Sequence, residues 1–280
     1  WADGALNYNG IGSMSLDYRY ISIIGDPESC DVSNACGTTL LTGFGGQIEK
    51  SSTKAISLGV NKNLVYWQDY RAGINNPQTY GSIGGEIDDF GSVSLLSEHP
   101  YQKYPQIVRS VEDVFFLGFS DQGGEVYFQR LDNSLNPLGP AVPVYESENQ
   151  QSSDESRPLL FSNSNGDVFY GFSEPSGNGD IYLQKYSSNG SSIWSSPKLI
   201  ASEPGDEIVK GLFPTSDGGC VIVYDFLFYP NFKLKLARID SDGNIIDSWD
   251  NLTISVSGES GYFEDAVETS DGIFISWRDF

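Results

Sequence analysis

Aromatic residues followed closely by an acidic residue recur along this chain. At the ends of five repeated apolar runs, Asp or Glu stands one or two positions after Trp, Phe or Tyr. Aromatic faces and carboxylates together can hold a sugar or a cation. An Asp at a strand end can instead accept hydrogen bonds from the backbone N–H groups of the next turn, so a structural role stays open. The predicted ligand-binding residues are Trp67, Asp69, Arg71, Asp121, Glu174, Asp225, Trp277, Arg278 and Asp279.

A second group of oxygen-bearing side chains favours a hard cation. Asp240, Asp242 and Asn244 alternate along one short acidic turn, and Ca²⁺ takes six to eight oxygen ligands. The turn lacks the long loop and the bidentate Glu of an EF-hand, so a solvated hairpin turn is the alternative. Ca²⁺ is therefore the one cofactor that the sequence suggests.

Catalytic residues are harder to select. Glycoside cleavage needs two converging carboxylates, and 38 acidic residues offer no means of choosing the pair. Lyase chemistry needs a positioned base, and His99, the single histidine, lies near Tyr101, Lys103 and Tyr104. A connecting loop explains that stretch equally simply. No catalytic residue is predicted.

Cysteine spacing bears on the cellular compartment. Cys30 and Cys36 flank a short polar loop that can fold back and bring their Cβ atoms to the roughly 3.8 Å of a disulfide. Two free cysteines are the alternative. Cys220 lies in an apolar run and is expected to be a buried, inert thiol. With few lysines, abundant Ser, Asn and Gly and one Met, the sequence favours an extracellular or cell-surface protein.

Charge excludes one class of partner. The formal net charge is −22, from 38 acidic and 16 basic residues, which opposes binding to a nucleic-acid backbone. No run reaches the 18 or more apolar residues that span a bilayer. The expected partners are a carbohydrate or a protein surface, further domains of the same chain, or other copies of it.

These side chains must be positioned by short strands. Residues 165–197 show a turn, an apolar run, an acidic loop, a second run, another turn and a third run, which predicts an antiparallel meander. Runs that resemble its first strand begin 44, 50, 54, 52 and 53 residues apart. A period near 50 with several strands in each repeat is typical of a propeller. The runs are Arg19–Ile24, Asn63–Trp67, Asp113–Phe119, Asp167–Phe172, Gly219–Tyr224 and Gly272–Trp277.

Two further strands follow in the best repeats. The next strand alternates apolar and polar residues, as a sheet packed on one face requires, and is predicted over 125–131, 180–186 and 233–239. An outer strand is predicted over 141–145, 193–200 and 252–256. A tight turn with Asn or Asp separates the two strands in each repeat.

The repeat resembles those of bacterial secreted β-propellers, with a looser likeness to WD40 and quinoprotein-type arrays. The resemblance rests on strands that end in Trp-x-Asp, the IYLQKY-like strand and the Asn-Gly or Asp-Gly turn before a Trp. It covers residues 101–280 well and 1–100 poorly, and the GH…WD signature of WD40 blades is missing. It implies an all-β fold of four-stranded antiparallel blades and says almost nothing about activity.

The blade number and the domain boundary follow from the same pattern. Six blades are expected, with five or seven as alternatives, in one domain over 1–280. Because the sixth repeat ends one strand after its turn, residues 1–10 are expected to complete that blade. A fragment of a longer array is the rival interpretation.

Taken alone, the sequence favours a binding or scaffold module within a larger surface or filament assembly. The reasons are the degenerate repeats, the acidic surface and the lack of an identifiable catalytic group. The alternative is a carbohydrate-active hydrolase or polysaccharide lyase that uses the propeller funnel. Three carboxylates, or His with Tyr and a basic residue, gathered in one deep pocket would favour the enzyme, and an apolar or plugged channel would favour the module.

Overall fold

A computed structural model describes residues 54–59, 62–69, 77–84, 94–111, 114–145, 157–174, 179–228, 231–254, 262–270 and 272–278. The described residues form β-strands, with one short 3-10 helix over Asp247–Trp249. Within these ranges no helix has the length and apolar character needed to cross a bilayer.

The strands form consecutive antiparallel sheets, each with its strands in chain order. Sheet I contains β1 Lys54–Gly59, β2 Lys62–Asp69, β3 Gln78–Gly84 and β4 Ser94–Leu95. Sheet II contains β5 Lys103–Arg109, β6 Phe115–Ser120, β7 Val126–Leu131 and β8 Val142–Tyr145. Sheet III contains β9 Leu159–Ser162, β10 Val168–Ser173, β11 Ile181–Tyr186 and β12 Lys198–Ala201. Sheet IV contains β13 Asp206–Pro214, β14 Cys220–Phe228, β15 Asn231–Ile239 and β16 Leu252–Thr253, and sheet V pairs β17 Tyr262–Thr269 with β18 Gly272–Arg278.

Four-stranded meanders of this kind are propeller blades, so the predicted all-β propeller fold is confirmed. The blade number, the single domain over 1–280 and the role of residues 1–10 stay predictions, since residues 1–53 lie outside the described ranges. The predicted strand Arg19–Ile24 lies there too, as do Cys30 and Cys36.

The repeated runs form the second strand of each sheet, as β2, β6, β10, β14 and β18. The predicted third and outer strands match β7, β11, β15, β8 and β16 to within a few residues. The outer strand predicted from residue 193 begins only at Lys198, because residues 193–196 form bends. The first strands β1, β5, β9, β13 and β17 were not predicted individually.

Tight turns of one type connect many of the strands. Asp121 shows the pattern: its carbonyl accepts the N–H of Gly124 at 3.2 Å, and its own N–H donates to the carbonyl of Glu125 at 2.8 Å. The fourth residue of such a turn takes a left-handed backbone, which glycine adopts without strain. Gly124 does so with φ +84°, and the same turn recurs at 163–167, 187–191, 215–219 and 240–244.

Core clusters lie between sheets II and III, III and IV, and IV and V, and β-strand alternation determines which residues enter them. Cys220, Ile222 and Tyr224 face sheet III and pack with Phe169 and Leu183. The alternate residues of β14 face the other way, where Val221 and Val223 pack against Ile275 and Trp277 of sheet V. The first strands of sheets III, IV and V lie side by side, since β9 contacts β13 and β13 contacts β17.

Contacts between Cα atoms divide the chain into two compact units. One extends to residue 105 and includes 131–141, and the other contains 106–130 and 142–280. Sheets III, IV and V belong to the second unit. The candidate site described next lies within that unit.

Candidate functional site

An aromatic ring on the second strand of a sheet is repeatedly stacked on a tyrosine of the third strand. In sheet IV the register instead places Lys235 opposite Tyr224, so a cationic side chain occupies the tyrosine position. The stacked pairs, with their centroid separations, are Trp67–Tyr80 at 6.3 Å, Phe119–Tyr127 at 5.8 Å and Phe172–Tyr182 at 5.7 Å.

The hydrogen bonds of these tyrosines also change from sheet II to sheet III. In sheets I and II the hydroxyl donates to the side chain two residues earlier, from Tyr80 to Gln78 at 3.0 Å and from Tyr127 to Glu125 at 2.8 Å. Asp180 has the corresponding position in sheet III, but there Tyr182 stacks on Tyr145 of sheet II, with ring centroids 5.1 Å apart, and Asp180 interacts with Ser202. The repeat is therefore broken at neighbouring positions of sheets III and IV.

Four acidic side chains lie at this break, and we call Glu174, Asp180, Glu203 and Glu207 the acidic cluster. Glu174 and Asp180 end the loop between β10 and β11, which is closed by a 2.8 Å hydrogen bond from the Glu174 N–H to the Asp180 carbonyl. Glu203 and Glu207 belong to the connection from β12 into β13, where the Glu203 N–H donates to Oε1 of Glu207 at 2.8 Å.

Backbone packing holds the two segments together. Gly179 has φ +72°, and a Cβ added there would lie 3.0 Å from the carbonyl oxygen of Glu207. The Val209 N–H donates to Oγ of Ser173 at 3.2 Å. Because Gly179 immediately precedes Asp180, this close approach brings Asp180 beside Glu207.

Glu207 is the most buried member of the cluster, with 1% of its surface exposed. Its Oε2 atom has no hydrogen-bond partner among the described residues. Burial raises the pKa of Glu207 to about 7, although the hydrogen bond from the Glu203 N–H opposes the shift. The negative charges of Asp180 and Glu203 raise that pKa further, and Lys235 lowers it. Glu207 can therefore hold a proton near neutral pH.

Asp180 also has increased proton affinity. Burial raises its pKa, the hydrogen bond with Ser202 lowers it, and the charge of Glu174 raises it again. Asp180 is partly exposed, as are Glu174 and Glu203. Three members of the cluster are thus partly exposed, whereas Glu207 is buried.

Lys235 supplies positive charge at the edge of the cluster. Its Nζ atom forms an ion pair with Glu203 and lies 4.6 Å from the ring centroid of Phe226. Lys235 is 8% exposed at the side chain and Glu203 27%. A buried ammonium group needs such a partner, so Lys235 holds Glu203 in one orientation.

Tyrosines flank the other end of the cluster. Tyr145 donates its hydroxyl to Oε1 of Glu174 at 2.8 Å and stacks on Tyr182 with centroids 5.1 Å apart. Burial, followed by the hydrogen bond to Glu174, raises the pKa of Tyr145 well above its ordinary value. Tyr145 is therefore a neutral donor, and it keeps the Glu174 carboxylate turned toward sheet II.

The arrangement has the components of acid–base chemistry. A carboxyl group with raised pKa can donate a proton, and a second carboxylate that stays ionised can act as base or nucleophile. Asp180 and Glu207 have the first property. Glu203, which is ion-paired to Lys235, is the candidate for the base or nucleophile.

The predicted ligand-binding residues are scattered over several sheets. Glu174 belongs to the acidic cluster, whereas Trp67 is buried in sheet I against Tyr80. Asp121 accepts hydrogen bonds from the N–H groups of Gly123 at 2.8 Å and Glu125 at 3.0 Å, as the structural alternative requires. Asp69 ends β2, and Arg71 and Asp279 lie outside the described residues.

The remaining members form contacts in sheets IV and V. Asp225 pairs with Lys210 at 3.0 Å, Arg278 forms an exposed ion pair with Glu264, and Trp277 packs toward sheet IV. Their role in ligand binding remains a prediction.

The acidic turn predicted for Ca²⁺ uses its oxygens internally. Oδ1 of Asp240 accepts the N–H groups of Asp242 at 2.9 Å and Asn244 at 2.8 Å, and Oδ2 accepts Nδ2 of Asn244 at 3.1 Å. Burial acts against the shift, but these hydrogen bonds lower the pKa of Asp240. Among the described residues no group of three or more His, Cys, Asp or Glu side chains is arranged to hold a metal ion. Calcium binding stays a prediction.

His99 lies in the connection between β4 and β5. Its Nδ1 atom is 2.8 Å from the carbonyl oxygen of Tyr101, and the side chain of Gln102 donates to the His99 carbonyl at 2.9 Å. These contacts stabilise the loop itself and agree with the connecting-loop alternative.

Sequence reasoning missed Asp180, Glu203, Glu207 and Lys235 as site residues. One signal was available, because Lys235 occupies the position of Tyr127 and Tyr182 when the third strands are aligned. Nothing comparable marks Glu203, which lies on the connection between sheets III and IV, or Glu207, the second residue of β13.

No protein-family model and no curated protein sequence matches the chain. The looser likeness to WD40 and quinoprotein-type arrays therefore has no support from a family match. Solved structures do match.

A PL25 ulvan lyase, a polysaccharide lyase solved bound to -[GlcA(1-4)Rha3S]-, has a TM-score of 0.53 and 10% identity over 81% of this chain and 66% of that chain. An α-L-arabinofuranosidase from Podospora anserina in complex with cellotriose has a TM-score of 0.45 and 12% identity over 77% and 75%. A GH43 endo-arabinanase from Bacillus licheniformis has a TM-score of 0.41 and 13% identity over 69% and 75%. At these identities a structural likeness shows the fold alone.

Proposed function

We propose that this protein is a carbohydrate-active enzyme that cleaves a polysaccharide by acid–base chemistry at the acidic cluster. The observation that carries the proposal is Glu207, a buried carboxyl group with an unpartnered Oε2, which lies beside the partly exposed Asp180 and Glu203. The similar ulvan lyase also acts on a polysaccharide, which supports the enzyme better than the binding or scaffold module.

Hydrolysis of a glycosidic bond assigns a role to each carboxyl group. Asp180 donates its proton to the glycosidic oxygen as the bond to the anomeric carbon breaks. Glu203 accepts a proton from the attacking water, whose oxygen forms the new bond to that carbon. The catalytic residues in this proposal are Asp180 and Glu203.

Glu207 and Lys235 are positioning residues in the same proposal. Glu207 accepts the backbone N–H of Glu203, and its backbone lies against Gly179, next to Asp180. Lys235 orients Glu203 through the ion pair. Both contacts fix the separation of the two catalytic groups, on which the rate depends steeply.

The proposal includes the cellular location of the protein. A polysaccharide is too large to enter a cell freely, so an enzyme that degrades an external polysaccharide works outside the cell. The extracellular or cell-surface location predicted from composition is the expected one.

The test is a panel of neutral and acidic polysaccharides, with release of reducing ends measured for the wild-type protein and two variants. Asp180→Asn and Glu203→Gln should each lower the rate by a factor on the order of 10² or more. Asp206→Asn, at an exposed position beside the cluster, is the matched control and should retain the wild-type rate. Ultraviolet absorbance of an unsaturated product would identify a lyase instead of a hydrolase. Binding without release of ends by the wild-type protein would favour the module and overturn the proposal.

A further inference from the structure

The charge of the acidic cluster limits which carbohydrates can approach it. Glu174, Asp180 and Glu203 are partly exposed on adjoining segments, and Lys235 is already paired with Glu203. A sugar held at this place meets carboxyl groups from both sides.

The buried side chain of Glu207 also favours an uncharged ligand. Its Oε2 atom is buried without a hydrogen-bond partner among the described residues, and Asp180 and Glu203 act on it electrostatically. A buried carboxyl oxygen of this kind needs a partner that donates when Glu207 is ionised and accepts when Glu207 is protonated. Sugar hydroxyl groups can do both, whereas ionised carboxylate and sulfate groups only accept.

The net charge of the whole chain adds a long-range repulsion of anionic ligands. A net charge of −22 creates a negative potential that repels polyanions and slows their association. Repulsion between like charges strengthens where protein displaces water, so each uronate next to the cluster weakens binding by tenfold or more.

We infer that the glycan bound at the acidic cluster carries no carboxylate or sulfate group. This inference rests on the proposed function and narrows its substrate class to uncharged polysaccharides. It separates this chain from the ulvan lyase of similar fold, which was solved with a glycan of glucuronate and sulfated rhamnose.

The test uses glycans that share a backbone and differ in charge. Polygalacturonate is compared with its methyl ester, and carboxymethylcellulose with hydroxyethylcellulose, for binding by affinity electrophoresis and for release of chain ends. At low ionic strength the uncharged member of a pair should bind at least tenfold more tightly. The ratio should fall toward one in concentrated salt, since salt screens the repulsion.

Two variants assign the effect to the cluster. Glu174→Gln removes one charge and should narrow the preference for the uncharged member severalfold. Asp247→Asn, at an exposed position in the short 3-10 helix, is the matched control and should leave the preference unchanged.

The outcomes separate the two proposals. Equal or tighter binding of the anionic member overturns the charge inference, even if the protein proves to be an enzyme. Selective binding of the uncharged member without release of ends overturns the proposed enzyme and supports the charge preference. Failure to bind or cleave any of the neutral and acidic glycans overturns both.

Discussion

Glu203 donates its backbone N–H to one carboxyl oxygen of Glu207 at 2.8 Å, while the other oxygen is buried without a partner among the described residues. One oxygen thus fixes the connection from sheet III to sheet IV, and the other keeps the high proton affinity of a desolvated group. This asymmetry has consequences for stability that do not depend on knowing the substrate.

Replacing Glu207 by Gln should remove a pH dependence of folding. Burial raises the native pKa from the ordinary 4.5 to about 7, so between these values the folded protein keeps a proton that the unfolded chain has released. The stabilisation is fully present below the unfolded value and is lost as pH rises through about 7. The wild-type free energy of unfolding should therefore fall by up to about 3 kcal/mol over this range, and Glu207→Gln should flatten the curve.

Urea unfolding at several pH values from 4 to 8 measures the effect. Asp206→Asn is the matched control, because that side chain is exposed at the start of the same strand. If the free energy of unfolding changes with pH equally in the wild-type protein and in Glu207→Gln, the pKa of Glu207 is not raised in the folded protein.

Substituting Gly179 by Ala should separate the two halves of the acidic cluster. A Cβ there would lie 3.0 Å from the Glu207 carbonyl oxygen and 3.2 Å from its nitrogen, and φ is +72°. We expect a loss of about 2–4 kcal/mol in unfolding free energy, from backbone strain and overpacking together.

Gly218→Ala isolates the backbone contribution. Its φ of +83° is similar, but the nearest atom to a new Cβ is 3.7 Å away, on Ser241. This control should cost only about 1–2 kcal/mol and leave polysaccharide cleavage intact. Equal effects of the two variants on stability and cleavage would contradict the role assigned to Gly179.

Sheets IV and V each have an ion pair between their first and second strands, and the basic and acidic residues have changed places between the two sheets. Lys210 and Glu264 occupy irregular register positions in β13 and β17, and they pair with Asp225 and Arg278 on the neighbouring strands. Asp225 is 11% exposed and its Oδ1 has no partner among the described residues, so Lys210→Met should destabilise the protein by about 1–3 kcal/mol. Arg278→Met, whose partner is exposed, should cost less than about 1 kcal/mol.

A double-mutant cycle for each pair, measured by urea unfolding, provides the comparison. Burial raises the pKa of Asp225 and Lys210 lowers it, so removal of Lys210 should also move titration of Asp225 upward in a carbon NMR experiment. A larger coupling energy for Arg278 and Glu264 than for Lys210 and Asp225 would contradict this ordering.

Thiol reactivity tests the predicted disulfide between Cys30 and Cys36. Cys220 is fully buried, and burial raises the pKa of its thiol far above the ordinary value, so it should not react in the native protein. Alkylation in denaturant without a reducing agent should then modify one thiol, as measured by intact mass. Three modified thiols would show that Cys30 and Cys36 are free.

The strands were predicted with unequal success, for local reasons. β10 and β11 were found to within one residue, because Asn-Gly turn signals enclose runs rich in β-formers. The first strands escaped, since β5 contains a proline and two basic residues and β9 has only four residues. Pairing with the second strand of the same sheet stabilises these strands, whereas a sequence pattern reflects only residues close together in the chain.

The candidate site was predicted less well. Glu174 was selected because it follows an aromatic residue in phase with the repeat. Asp180 and Lys235 stood in correctly predicted strands but seemed ordinary, and their value as a departure from the repeat appears only when the stacked Tyr80, Tyr127 and Tyr182 are compared. Asp121 and Asp240, which looked equally promising, bind their own turns.

The sequence by itself determined the local order of turns and strands, because a hairpin depends on residues a few positions apart and on glycine where φ is positive. Only the tertiary structure decided which of 38 acidic residues became unusual. Asp180 and Glu207 are 27 positions apart in the chain and meet because Gly179 packs against the backbone of β13. That packing excludes water from Glu207, and loss of hydration is what distinguishes its carboxyl group from the solvated carboxylates of the turns.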